Sequence, residues 1–170
     1  MAGKAIGISL GFGYPGNYAR TPDDVTVARR LAGNVAVLFG ECLKLNSDNT
    51  VEPVGAGFTA AQFAGIAVRV VKNAVNFLDQ NHVAYQPGQM VDALTRGAVT
   101  VTCNVGTPTA GGNVYVRIAA NNSIANGVVG GFEAAADGNN TVLLPNVKWT
   151  TGAMDANRIC EVTILTRVNP

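Results

Sequence analysis

Residues 98–105 read AVTVTCNV: Val99, Val101, Cys103 and Val105 fall on one side of an extended backbone, Ala98, Thr100, Thr102 and Asn104 on the other. A period of two belongs to a strand with one face turned to a core, whereas on a helix those four apolar residues would scatter around the axis. The same alternation returns at Ile66, Val68 and Val70, and at Val114, Val116 and Ile118 against Tyr115 and Arg117. It closes the chain in a strand over 159–168 that buries Cys160, Val162, Ile164 and Val168. No long amphipathic helix and no strand–helix–strand rhythm accompanies it. Short strands with turn signals between them predict a mainly β chain, a compact antiparallel barrel or sandwich with at most one or two short helices.

Turn chemistry places the elements. Pro87 and Gly88 suit the two central positions of a type II turn, because Pro presets one dihedral and Gly accepts a positive φ at the next. A strand over 90–96 follows, and Gly97 bends it into the alternating stretch. Residues 35–41 (VAVLFGE) read as a further strand, 46–50 (NSDNT) as a turn, and Thr59 as the cap of about one helical turn that Gly65 ends. Residues 1–33 differ: Gly3, Gly7, Gly11, Gly13, Pro15, Gly16 and Pro22 break any long regular element. They read as an extended N-terminal arm before a single β-rich domain over 34–170. A strand tucked along its own domain is the other reading of the arm, and a short helix over 23–31, capped by Thr21 or Asp23, is left open.

At 170 residues the chain is long enough to bury about 68–70% of its unfolded surface without a metal or disulfide staple. Charged residues are only 14%, against about 25% in an ordinary soluble domain, so much of the surface is small, amide or apolar and suited to meeting protein. Net charge is +1 with no basic block, which speaks against nucleic-acid binding driven by phosphate charge. No secretory leader or membrane span is read, since Arg69 and Lys72 interrupt the strongest apolar stretch. Cys42, Cys103 and Cys160 form no C-x-x-C pair and read as reduced core thiols.

The residues offer little chemistry. His82 is the one histidine, in a polar string, and a dyad with Cys42 or Cys103 would need a thiol that packing makes inert. Asp23, Asp24, Asp48, Asp92 and Asp137 read as turn residues and caps. No metal-ligand cluster is visible, and no cofactor is expected, because the glycine-rich stretches lack the P-loop ending and the G-x-G-x-x-G context. Aromatics are 6%, too few for a stacking platform, and Trp149 reads as core.

Three stretches carry a resemblance: 58–71 (FTAAQFAGIAVRVV), 85–103 (YQPGQMVDALTRGAVTVTC) and 138–165 (GNNTVLLPNVKWTTGAMDANRICEVTIL). In that order they resemble the structural cement, or head decoration, proteins of tailed bacteriophages. Those proteins share an FAGIAVR-like strand, a Y-x-P-G turn, an Arg-Gly bend and an A-x-W-like segment before the last strand. The resemblance covers 34–168 and matches less clearly over 1–33, so the arm's role rests on composition. It implies a structural protein without an active site on the outer face of a phage head, assembled in the host cytoplasm. It would bridge major capsid protein subunits as a homo-oligomer, a trimer or alternatively a dimer. The expected contact residues are Tyr14, Tyr18, Arg20, Arg29 and Arg30, because aromatic and Arg side chains dominate interface energies.

Two other classes compete. A carbohydrate- or peptide-binding module predicts a concave site gathering Trp149, a Tyr and an Asp. An enzyme would need Cys42 or Cys103 with His82.

Overall fold

The computed structural model describes residues 11–70 and 84–166. In these residues the strands are β1 (Tyr18–Arg30), β2 (Val37–Leu38), β3 (Cys42–Leu45), β4 (Val51–Pro53), β5 (Phe63–Ala67) and β6 (Ala84–Tyr85), then β7 (Met90–Val105), β8 (Asn113–Arg117), β9 (Phe132–Glu133), β10 (Thr141–Met154) and β11 (Ile159–Ile164). Single 3-10 turns stand at Ala60–Gln62 and Gly138–Asn140.

The alternating stretch and the segment before it form one 16-residue strand, β7, and the rest is hung on it. β11 pairs with it antiparallel from Ile159 opposite Thr102 to Ile164 opposite Gly97. From β11 the ladder passes to β10, β8 and β9, and β9 returns to β7 in parallel at Cys103 opposite Phe132. The ring of strands is therefore closed, a barrel, which removes the open edges a sandwich would leave. Its interior holds Val99, Val101, Val114, Val116, Leu144, Val147, Trp149, Val162 and Ile164, each at most 1% exposed. Burial of each such side chain contributes about 1.5–3 kcal/mol.

β5, β3 and β4 extend from the other part of β7 as a wing. A second core of Leu31, Val37, Leu43, Val51, Ala67, Tyr85 and Val91 fills it. The Tyr85 ring stands edge-on to Phe39 at 5.3 Å, and its hydroxyl donates to the Val68 carbonyl at 2.7 Å. Burial, ahead of smaller electrostatic causes, pushes the Tyr85 hydroxyl pKa up to about 12.

Local differences from the sequence reading have physical reasons. Residues 23–31, where a helix was left open, are strand in β1 as far as Arg30, because Val25, Thr26 and Val27 are β-branched and β7 offers an edge to pair with. Gly65 ends no helix. It lies inside β5 at φ 135°, where a Cβ would meet the Leu94 carbonyl oxygen at 2.4 Å. The Thr59 turn is present, closed by its capping box with Gln62. The strand expected over 35–41 shrinks to β2, and Val168 lies outside the described residues. Ala98 and Thr100, on the face opposite the barrel core, are 4% and 3% exposed, because the leading segment covers them. Gly16 N–H bonds the Thr100 carbonyl at 2.7 Å and Thr100 N–H bonds Asn17 at 2.9 Å. β1 then shifts register between Arg20 and Val25 while passing over Gly97, whose Cβ would lie 2.6 Å from the Asp23 carbonyl oxygen.

Candidate functional site

Among the described residues, three carboxylates that could do chemistry, Asp48, Asp137 and Asp155, are held by the fold. Asp48 accepts from the Thr50 N–H at 3.1 Å and from its hydroxyl at 2.6 Å, which hold its pKa below the usual carboxylate value. Asp155 accepts from the N–H groups of Phe12, Asn157 and Ile159 at 2.9–3.0 Å. Burial pushes its carboxyl up, but these donors win and the net direction is down. Asp137 takes Asn121 at 2.9 Å and Arg117 at 2.8 Å, and both lower its pKa. Among the described residues no cluster of His, Cys, Asp and Glu is arranged to hold a metal ion. His82 lies outside the described residues. Cys42, Cys103 and Cys160 are free and buried, and Trp149, required by the carbohydrate-site reading, is 1% exposed in the core.

The five residues expected to make contacts fall in two groups at either end of β1. At the strand's start, Tyr14 is 63% exposed and carries the Arg69 guanidinium over its ring at 4.3 Å. Tyr18 is 44% exposed, and its hydroxyl pairs with that of Thr26 at 2.9 Å. Arg20 forks onto Glu161, its Nε on Oε1 and its Nη2 on Oε2 at 3.2 Å. Glu161 is buried beneath it, so Arg20 serves the fold as well as the surface. At the other end, opposite Met90 and Val91, stand Arg30 and Arg29. Arg30 is exposed; Arg29 is half-buried, reaches the Asn49 carbonyl at 3.4 Å and keeps its Nε buried without a hydrogen bond. At ordinary strand rise the two ends lie up to about 40 Å apart, so the five expected residues make two patches and not one site.

The structure adds a groove of about 210 Å³ that the sequence reading passed over. Pro15, Leu38, Phe39, Val128 and Phe132 supply its apolar walls and Glu41 a carboxylate. Leu38 and Val128 are each 47% exposed at the groove. Glu41 accepts the Leu38 N–H at 2.8 Å, yet burial outweighs that bond and raises its pKa. The groove exists because the leading segment and β2 touch through glycine, with Gly40 so close that a Cβ there would meet Pro15 Cβ at 2.6 Å. The signal was the apolar pair Val128-Val129 among glycines, which composition alone reads as a flexible connection. The volume is below the roughly 300–1,000 Å³ of small-molecule pockets and suits a side chain of another protein.

A family model for phage cement, described as structural cement protein (E217 gp24/Pam3 gp6), matches residues 3–165. The match takes in the leading segment as well as the barrel. None of the curated proteins matches the sequence. Among solved structures, a chain from the capsid of Myoviridae phage XM1 is similar, with a TM-score of 0.70 at 16% identity over 96% of this chain and 98% of that one. At that identity the likeness is one of fold.

Proposed function

We propose, from the premise that this chain belongs to the phage structural cement protein family, that it binds the outer surface of the head and bridges neighbouring major capsid protein subunits. A structural role in the phage capsid follows from the family. The bridging, the outer face, assembly of the virion in the host cytoplasm and a homo-oligomeric state go beyond what the family alone implies, and we infer them here. On this reading the protein catalyses no reaction and takes no cofactor, nucleic acid or membrane as partner.

The family match over 3–165 carries the reading, and the surface supports it. Residues 1–33 supply the leading contact groups, with 18–30 held as β1 along β7 of the β domain over 34–170. Tyr14, Tyr18 and Arg20 form one patch, Arg29 and Arg30 a second, and the groove between Leu38 and Val128 a third. Each is modest alone, but patches borne by one rigid body raise one another's effective concentration, so a lattice of subunits is clamped without a single tight site.

The test is to add purified protein to undecorated phage heads and image them by electron cryomicroscopy. Saturable extra density at symmetry-related positions on the outer surface, each touching two or more capsid subunits, is the expected result. Heads that stay bare at saturating protein would end the reading. Tyr14→Ala with Tyr18→Ala should weaken decoration about tenfold or more, since both rings are exposed and hot-spot aromatics cost about 2 kcal/mol or more each.

A further inference from the structure

The chain leaves β1 pinned by backbone bonds. The Leu31 N–H bonds the Gln89 carbonyl at 2.8 Å, the Leu31 carbonyl takes the Gly88 N–H at 2.9 Å, and the Ala32 N–H bonds the Val51 carbonyl at 2.8 Å where Leu31 bridges Val51 in parallel. Regular pairing resumes at Val37, opposite Tyr85. Between these anchors Gly33, Asn34 and Val35 are exposed and give no backbone group to a hydrogen bond among the described residues. They pass beside β4 and leave a recess of about 300 Å³. Ala32, Val35, Pro53 and Val54 are its apolar walls, and Glu52 is its one charged group among the described residues. Pro53 has no N–H to offer an added strand, so the recess is fitted to side chains and not to a further ladder.

Charge narrows what the recess takes. Glu52 holds the Lys44 Nζ at 2.7 Å, so its carboxylate is already paired. Arg30 is exposed and pairs with no carboxylate among the described residues. It stands two residues before Ala32, which at strand rise sets it about 7 Å from the recess wall. Arg29 beside it reaches only the Asn49 carbonyl at 3.4 Å and keeps its Nε unbonded. The free charge next to this apolar space is therefore positive. Val35 is 62% exposed, and Met90, opposite Arg30 in the β1–β7 register, is 56% exposed, so apolar surface in water flanks the guanidinium.

We propose that this recess docks an acidic-apolar segment of a major capsid protein subunit: an apolar side chain fills the space between Val35 and Pro53, and an Asp or Glu two positions away along an extended chain meets Arg30. The spacing follows from the protein's own, since residues i and i+2 of an extended partner also stand about 7 Å apart. Docking covers the apolar surface of Val35 and gives the free guanidinium a charge-assisted bond. A basic segment would set like charges against each other at Arg30, which makes the site selective as well as adhesive. The inference rests on the cement reading and deepens it, by naming the chemistry of the partner at the Arg29 and Arg30 patch.

The test is titration of undecorated phage heads with the full chain, bound protein being measured after the heads are pelleted. Val35→Asp and Arg30→Glu should each weaken binding at least tenfold, Arg30→Lys less than threefold, and the Arg30→Glu loss should shrink at high salt. Both residues are exposed, so thermal unfolding followed by circular dichroism should match wild type in every variant. Asn34→Cys at the edge of the recess is the independent arm. The native thiols are buried, so a benzophenone maleimide labels the new one, and light should join it on decorated heads to a capsid peptide with an apolar residue two positions from an Asp or Glu. Full binding by folded Val35→Asp and Arg30→Glu, no cross-link on decorated heads, or a cross-link to a basic segment or to a second copy of this chain would overturn the proposal. Those results, with wild type decorating, sink the recess alone; wild type that leaves the heads bare sinks the cement reading and the recess with it.

Discussion

Arg117 and Glu133 form a forked ion pair with both side chains fully buried, Nε on one carboxylate oxygen and Nη2 on the other at 2.9 Å. The third arm, Nη1, reaches Asp137 at 2.8 Å. The pair joins β8 to β9, the shortest strand of the barrel ring, so it stands where closure has the fewest backbone bonds. Glu133→Leu leaves a buried guanidinium short of a partner and should cost about 3–5 kcal/mol; Arg117→Met with Glu133→Leu removes both charges and should recover most of that loss. Urea unfolding of the three proteins measures it, and equal destabilisation of the single and double variants would contradict the account.

Gly97 and Gly88 separate two costs of adding a methyl group. Gly88 sits at φ 83° with nothing within 4 Å of a Cβ, so Gly88→Ala should cost only the backbone term, about 1 kcal/mol. Gly97 sits at φ 116° beneath the crossing of β1, and a Cβ would meet the Asp23 carbonyl oxygen at 2.6 Å and the Asp24 Cα at 3.0 Å. Gly97→Ala should therefore cost about 3 kcal/mol or more, because β1 must lift as well. Similar losses in a denaturation series would show that β1 does not rest there.

These residues also show what was legible beforehand. The alternation at 98–105 and the Pro87-Gly88 turn are local signals, and each appears where expected; at Gly97, where a bend between two strands was expected, one strand runs through at a positive φ. Arg117 was hidden because it alternates with Val116 as a solvent-facing residue would; its burial depends on Glu133, 16 positions later in a two-residue strand with no pattern of its own. The groove was hidden for the same reason, since Pro15, Leu38, Phe39 and Val128 meet only after the chain closes. Of the residues expected to make contacts, Tyr14 and Tyr18 are exposed, as a surface role requires, but Arg20's engagement with Glu161 required knowing that β11 lies beside it.

Acid should unfold the protein in a defined window. The carboxyls of Asp48, Asp137 and Asp155 have pKa values below their ordinary ones, through bonds from Thr50, from Asn121 and Arg117, and from Ile159, Phe12 and Asn157. A lowered folded value means that the unfolded chain binds more protons, so their stabilisation is present above the unfolded carboxylate pKa of about 3.9 and is lost as pH falls through the folded values. Glu41 has the opposite sign: burial raises its pKa, so its charge costs stability at neutral pH. Asp137→Asn should flatten the acid limb of the unfolding midpoint against pH, and Glu41→Gln should raise the midpoint at pH 7. An unchanged limb in Asp137→Asn would remove its carboxylate from the argument.

Thiol labelling sets access against ionisation. Hydrogen bonding from Cys160 lowers the Cys103 pKa to about 7, and Cys160 is raised in turn; burial raises Cys42. Charge alone would make Cys103 the reactive thiol at pH 8. Cys103 is 0% exposed, however, so an aromatic disulfide reagent should label the native protein no faster than it unfolds and label all three cysteines in denaturant. One fast native thiol would mean that the ladder between β7 and β11 opens locally.

The groove makes a sharper demand on capsid binding than the arm does. Leu38 and Val128 expose apolar surface on either side of a space sized for one or two side chains, and the Glu41 carboxylate there has only the Leu38 N–H to offset its burial. An apolar side chain beside a Lys or Arg on the capsid partner would fill the space and pair the carboxylate, gaining both apolar burial and a charge-assisted bond. Leu38→Asp puts a second negative charge where the apolar contact belongs and, being about half exposed, should leave the unfolding midpoint within about 0.5 kcal/mol of wild type. It should nevertheless weaken decoration of heads tenfold or more, with Glu41→Gln giving a smaller loss that shrinks further at high salt. Full decoration by a folded Leu38→Asp variant would show that this face points away from the shell.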